Sequence, residues 1–345
     1  MNMRGFTILL ACFFLILPAS AQWQQQFSGT DVQLRGISAV SDRVAWASGA
    51  KGTVLRTIDG GEHWIKVDVP GAEALDFRDI QAFDWDTAYV LSIGPGEQSR
   101  IYKTTDGGKI WQRQFTNSDP KAFYDCFAFW DNKHGIAVSD SVDDKFPLIS
   151  TSDGVTWVPV AVKSMPAALP NEGAFAASGT CITTYGKNDV WFGTGGPAAR
   201  VFHSGDRGLN WTVAETPIVH GQASQGIFSI AFFDRHKGVV VGGDYKEPDK
   251  TEATAAVTED GGKTWRLAKH QPSGYRSGVV VGSSISRFYA VGTNGMDSSG
   301  GELWQRAGQG NFNAISLAGL DVAWAVGAEG TIVRLHTVPK EMRLH

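Results

Sequence analysis

Basic clusters, cysteines and metal-spaced histidines are all scarce in this 345-residue sequence, and each shortage removes a class of function. Lys and Arg number 31 against 35 Asp and Glu, for a formal net charge of -4, and no Lys/Arg run concentrates the positive charge locally. A nucleic-acid partner ordinarily leaves a basic footprint, so none is expected. The eight histidines show no metal-ligand spacing: His63, His134, His203 and His236 fall on turns or strands far apart in the chain, and no metal is expected. No glycine-rich loop opens a helix, which leaves nucleotide binding without support, and no cofactor is expected. The longest apolar run, Phe6–Leu17, is too short to span a bilayer comfortably. With Arg4 before it and Pro18-Ala19-Ser20-Ala21 after it, residues 1–21 read as a signal peptide, and the mature chain is expected to begin at Gln22 with no transmembrane segment. A lipoprotein reading at Cys12 is poorer, because the very apolar Phe13–Leu17 would follow the acylated residue.

Export leaves two cysteines, Cys126 and Cys181. An oxidising compartment permits a bond between them, but two thiols make no disulfide framework. Two buried free thiols acting as small hydrophobes is the preferred expectation.

Glycine (41) and tryptophan (12) are abundant instead, and together they favour tight turns and short strands over helices. They recur in order. Thr57-Ile58-Asp59-Gly60-Gly61-Glu62-His63-Trp64 is repeated as Thr104-Thr105-Asp106-Gly107-Gly108-Lys109-Ile110-Trp111 and as Thr258-Glu259-Asp260-Gly261-Gly262-Lys263-Thr264-Trp265. Looser copies carry Asp153 with Trp157 and Asp206 with Trp211, and Ser298-Ser299-Gly300-Gly301-Glu302-Leu303-Trp304 reads as a decayed one with Ser299 in the aspartate position. These are Asp-boxes, in which the carboxylate accepts backbone N–H bonds, glycine supplies positive φ, and the Trp opens the next strand. Their aspartates and tryptophans (Asp59, Trp64, Asp106, Trp111, Asp153, Trp157, Asp206, Trp211, Asp260, Trp265) are therefore assigned to structure.

Each box follows an apolar strand, a second strand that often ends in glycine, and a third strand, which makes a four-stranded antiparallel unit. Inner strands begin near Leu34, Phe77, Phe123, Ser178, Gly226, Tyr275 and Phe312, which predicts an all-β, seven-bladed β-propeller over residues 22–337 with a tail at 338–345. The last unit stops after its third strand, whereas Trp23-Gln24-Gln25-Gln26-Phe27 matches Trp111-Gln112-Arg113-Gln114-Phe115, a fourth strand without its hairpin. The N-terminal strand should complete the last blade and close the ring.

Strand order places the boxes on one face and sends the unrepeated loops to the other. At the starts of the inner strands stand Arg78-Asp79, Tyr124-Asp125, Phe228-Ser229, Tyr275-Arg276-Ser277 and Asn313. The loops between second and third strands add Asp140, Arg200, Asp244 and Asp297, and the long connection into blade four adds Glu172. A ligand or partner site is expected there, at Arg78, Asp79, Tyr124, Asp125, Asp140, Glu172, Arg200, Asp244, Tyr275, Arg276 and Asp297. A glycan-active hydrolase of the sialidase type is the alternative, with Glu172, Asp125 and Tyr124 as its reactive groups. Against it, the Phe/Tyr-Arg-Ile-Pro signature is replaced here by Phe77-Arg78-Asp79-Ile80, and sialidases have six blades.

The inner strand, the Gly-ending second strand and the Thr-x-Asp-Gly-Gly-x-x-Trp turn, in that order, resemble the photosystem II stability/assembly factor family over nearly the whole mature chain. The resemblance implies a secreted or lumenal propeller. Photosynthetic members are assembly chaperones that hold a membrane-protein precursor through a basic patch, whereas this chain is acidic overall. The expectation is an exported, monomeric, non-enzymatic binding protein from a non-photosynthetic bacterium, periplasmic or extracellular, with a protein or glycan partner at the cell envelope. A purely structural envelope module is the third reading.

Overall fold

A computed structural model describes residues 23–282, 287–319 and 322–336. The segments 1–21 and 338–345, assigned above to a signal peptide and a tail, lie outside the described residues. Those residues form seven four-stranded antiparallel sheets. Blade 1 runs through Leu34–Ala39, Ala45–Gly49, Thr53–Thr57 and Ile65–Lys66, and the pattern repeats to blade 7, Phe312–Ala318, Val322–Gly327 and Ile332–His336. Trp23–Gln26 supplies the fourth strand of blade 7, with Trp23 opposite Leu335 and Gln26 opposite Ile332, so the ring closes as the sequence predicts. No helix among the described residues is long and apolar enough to cross a membrane.

The turn chemistry shows why the repeat is spelled as it is. Thr57 donates its hydroxyl to Asp59 (2.8 Å) and accepts the Gly61 N–H (2.9 Å), while Asp59 accepts the His63 N–H (3.0 Å). Gly60 and Gly61 have φ of 82° and 86°, a region that side chains with a Cβ rarely enter. The same set of bonds recurs around Asp106, Asp153, Asp206 and Asp260. Backbone N–H groups of Thr156 and Val155 hold Asp153 below the usual carboxylate range. Blade 6 departs from the reading above. Its third strand ends at Ser299, whose hydroxyl accepts the Gly301 N–H (2.9 Å), so Ser299 stands where Thr57 does and the aspartate has no counterpart.

The repeated tryptophans bury themselves between blades. Apolar clusters fill all seven seams, and each holds one of them or has it packed alongside: Trp64 against blade 7, Trp111 against blade 1, Trp157 against blade 2, and so on to Trp23 against blade 6. Polar side chains on the inner strands add a girdle around the axis. Ser38 accepts the Ala82 N–H, Asp79 the Phe127 N–H, Ser229 the Val279 N–H and Ser316 the Ala39 N–H, each bond running from one blade to the next.

At the seam of blades 3 and 4, Cys126 and Cys181 form a disulfide with a Cα–Cα distance of 6.2 Å, which corrects the expectation of two free thiols. Cys126 lies on the first strand of blade 3 and Cys181 just before that of blade 4, both fully buried. Residues 55 apart become neighbours only once adjacent blades pack, which cysteine spacing alone does not reveal.

Candidate functional site

The inner strands carry a second repeated device. In five blades the pairing of first and second strands skips one residue: Arg35, Arg78, Asp125, Phe228 and Asn313. Such a β-bulge leaves its extra residue outside the ladder and re-aims the side chain. All five bulges lie at the end of the strands away from the aspartate turns. In blade 1, for example, Leu34 pairs with Gly49 beside Arg35, while Ala45 pairs with Thr57 at the turn end.

The re-aimed side chains line two hollows that share Arg78, Phe175 and Ala176. The central one, about 420 Å³, is walled by Arg35, Arg78, Phe228, Tyr275 and Asn313, with Tyr245 at its side. The other, about 310 Å³, lies toward blades 3 and 4 and is walled by Arg78, Phe123, Asp125, Asp140 and Phe175, with backbone at Gly173, Gly195 and Gly196. Phe175 and Phe228 stack (3.8 Å, 11°), and Tyr275 meets Phe228 edge-on (4.8 Å). Gly195 is required by close approach, since a Cβ there would meet the Phe175 ring at 2.3 Å and the Gln225 carbonyl at 2.5 Å.

The electrostatics of this mouth are divided. Arg35 reaches the Ala177 carbonyl with Nη1 (3.4 Å), and its buried Nε has no hydrogen-bond partner. Burial, and then the adjacent Arg78, depress the Arg35 guanidinium. Arg78 is better held, with Nε on Asp76 (2.8 Å) and Nη1 on the Ala176 carbonyl (3.1 Å). On the acidic side, burial and then the charge of Asp140 push Asp125 well above the usual carboxylate range. Burial also raises Asp140 to about 6.

The structure separates the eleven residues singled out from sequence into two groups. Arg78, Asp125, Asp140 and Tyr275 line the hollows. The others are engaged elsewhere, five in holding the rim, Asp79 in the girdle and Tyr124 in a seam. Glu172 is bidentate with Arg200 and also accepts from Thr194 (2.6 Å) and the Leu169 N–H (2.8 Å). Arg276 and Asp297 form a fully buried pair that ties in Ser273 and Asn294. Asp244 accepts from Gln225 (3.1 Å) and the Lys246 N–H (2.9 Å), and Asp79 serves the girdle. Tyr124 faces the seam of blades 2 and 3, edge-on to Phe115 (5.2 Å), because the bulge turns Asp125 to the mouth in its place. Arg35 was missed, although Leu34-Arg35-Gly36-Ile37 aligns with Phe77-Arg78-Asp79-Ile80 and carries the signal. Elsewhere, ligand atoms of half-buried Asp59 and exposed Glu62 and His63 come within 4.8 Å of one another, but Asp59 is already occupied by Thr57 and by His63 itself.

Residues 16–121 match the profile of a family described as photosynthesis system II assembly factor YCF48. The photosystem II assembly protein Ycf48 of Synechococcus sp. (strain JA-2-3B'a(2-13)) is 26% identical over 310 residues, covering 76% of this chain and 85% of that protein. Among solved structures, YCF48 bound to D1 peptide matches with a TM-score of 0.64 at 15% identity, over 92% of this chain and 97% of the other. U3-55K matches with a TM-score of 0.62 at 12% identity, over 91% and 98%. At these identities the two structures speak for the fold alone. The chain resembles the photosystem II assembly-factor family in sequence as well as in architecture.

Proposed function

We propose that this chain is a non-enzymatic, exported scaffold whose channel mouth, on the face opposite the aspartate turns, holds a segment of a protein partner. The observation that carries the reading is Arg35, a guanidinium turned into the mouth by a bulge with its Nε unpartnered, beside Arg78 and the Phe175–Phe228 stack. Buried N–H groups without an acceptor are uncommon in folds, and a carboxylate or backbone carbonyl from a partner would supply one. Aromatic faces next to that donor suit an extended peptide. The relatives support the reading: one is named an assembly protein, and one solved propeller of this kind is bound to a peptide. The buried disulfide supports export, since such bonds persist in oxidising compartments. Catalysis by Glu172 is disfavoured, because its carboxylate is enclosed by Arg200, Thr194 and the Leu169 N–H.

The test is site-directed photo-crosslinking in the cell. A photoreactive residue replacing Thr293 at the mouth should capture a discrete protein, and the combined Arg35→Ser and Arg78→Ser variant should lose that adduct while melting normally. A label replacing Lys263, on the turn face, should capture nothing comparable. An adduct that persists without both arginines, or that forms equally from Lys263, refutes the assignment of the face.

A further inference from the structure

The acidic half of the mouth asks for a ligand of its own. Asp125 is only 2% exposed, yet it lines the 310 Å³ hollow, and its Oδ2 has no hydrogen-bond partner. Asp140 lines the same hollow, with one oxygen on the Ala174 N–H (2.9 Å). Two carboxylates desolvated side by side destabilise a fold unless a cation stands with them. The cation at hand, Arg78, shares the hollow but spends its Nε on Asp76 and an Nη on the Ala176 carbonyl. Phe123 and Phe175 complete the wall with aromatic surface.

The shape selects the kind of cation. A space of about 310 Å³ is some tenfold the ~30 Å³ share of one water, far more than a bare metal ion fills. A guanidinium in the same wall also disfavours a dication. An alkyl stem ending in ammonium or guanidinium fits every component: N–H donors for the carboxylates, a cation for the aromatic faces, and methylenes for the apolar wall. We infer that this acidic and aromatic hollow receives a lysine or arginine side chain of the partner. The inference rests on the mouth being the partner site. It adds that the bound segment carries a basic side chain beside the group that Arg35 and Arg78 hold.

The test uses Nα-acetyl-lysine methylamide and its uncharged isostere Nα-acetyl-norleucine methylamide, titrated into the full propeller and read from the amide NMR shifts of Ala174 and Gly195. The lysine probe should bind at least about tenfold more tightly, the difference a charge-assisted hydrogen bond makes. Asp125→Asn with Asp140→Asn should erase that preference while the melting temperature holds or rises, because buried charge is removed. Equal binding of the two probes, no shifts with the lysine probe, or a preference that survives both substitutions overturns the inference. So does a clear fall in melting temperature in the Asn variants, which would mark the acids as structural. Arg35→Ser alone, which leaves the lining of the acidic hollow intact, should keep the lysine preference while weakening the cellular adduct, so failure of this subsite is distinguishable from failure of the partner site.

Discussion

Replacing Gln26 should weaken the closure of the ring by more than any single contact on its exposed strand suggests. The Oε1 of Gln26 accepts two indole N–H groups, from Trp64 of blade 1 (2.9 Å) and Trp324 of blade 7 (3.1 Å), while its Nε2 donates to the Gly60 carbonyl (2.8 Å). Gln26→Leu keeps the volume and removes all three bonds. A buried donor left without an acceptor costs about 1–3 kcal/mol. Trp324 is fully buried and should pay near the upper end, whereas Trp64, 9% exposed, can recover part of its bond from water. The expected loss is about 2–4 kcal/mol. Urea unfolding followed by tryptophan fluorescence reads it as a lower midpoint at unchanged slope. Gln26→Glu retains the acceptor and should lose about 1 kcal/mol, and Trp64→Phe should absorb part of the Gln26→Leu loss in a double-mutant cycle. Gln114, which accepts only Trp157 (3.2 Å), should lose roughly half as much when changed to Leu. A Gln26→Leu protein within about 0.5 kcal/mol of the parent would refute the clamp, since surface changes alone produce that much.

Other outcomes follow from the same geometry. Cys126→Ser with Cys181→Ser should cost about 4 kcal/mol on the chain-entropy account for a loop of 55 residues, and equal stability under oxidising and reducing conditions would argue that the bond is not formed. Burial raises Asp140 to about 6, so the folded chain binds more protons than the unfolded one between that value and the ordinary 3.8. Stability should therefore rise as pH falls from about 6 toward 4, with Asp125 and Asp79 acting in the same sense. Below that window the aspartate turns should reverse the trend. Desolvation is the largest single influence on Asp260 and works against them, but the hydrogen bonds together, led by those of Thr264, outweigh it and hold Asp260 down to about 2, and that support is lost on protonation. Melting curves from pH 7.5 to 3 should thus pass through a maximum, which Asp140→Asn flattens on its alkaline side; a monotonic fall from neutrality would contradict the assignment. Glu172→Gln should strip Arg200 of its charge partner at a cost of about 3–5 kcal/mol, without altering any glycoside turnover.

The ring was legible because its parts repeat. The hydroxyl, the aspartate and the positive-φ residues after it satisfy one turn locally, so each copy announces itself in seven or eight residues. Trp23 without a hairpin, facing a last unit without a fourth strand, was enough to place the closure. What the sequence concealed depends on neighbouring blades. The pairing of Cys126 with Cys181, and of Glu172 with Arg200, joins positions far apart in the sequence that meet only when strands and connections pack together. Polar residues on the unrepeated loops therefore looked like ligand groups when many of them hold the rim together. Tyr124 and Asp125 illustrate the finer difficulty, because a bulge exchanges which of two adjacent residues faces the seam and which the mouth. Arg35 could have been found by aligning the second residue of each inner strand.

That bulge carries a broader consequence. A residue outside the strand ladder forms no part of the register, and around this axis it forms no part of the seam cores either. The five bulged positions act as sockets on a fixed wheel: arginine, arginine, aspartate, phenylalanine and asparagine occupy them, and although Asn313 also ties to the Leu34 carbonyl and Phe228 to the Phe175 ring, none of the five is a rung of the sheet behind it. Ligand preference in such a wheel can be rewritten one spoke at a time, while the tryptophans and turns that keep it round stay as they are.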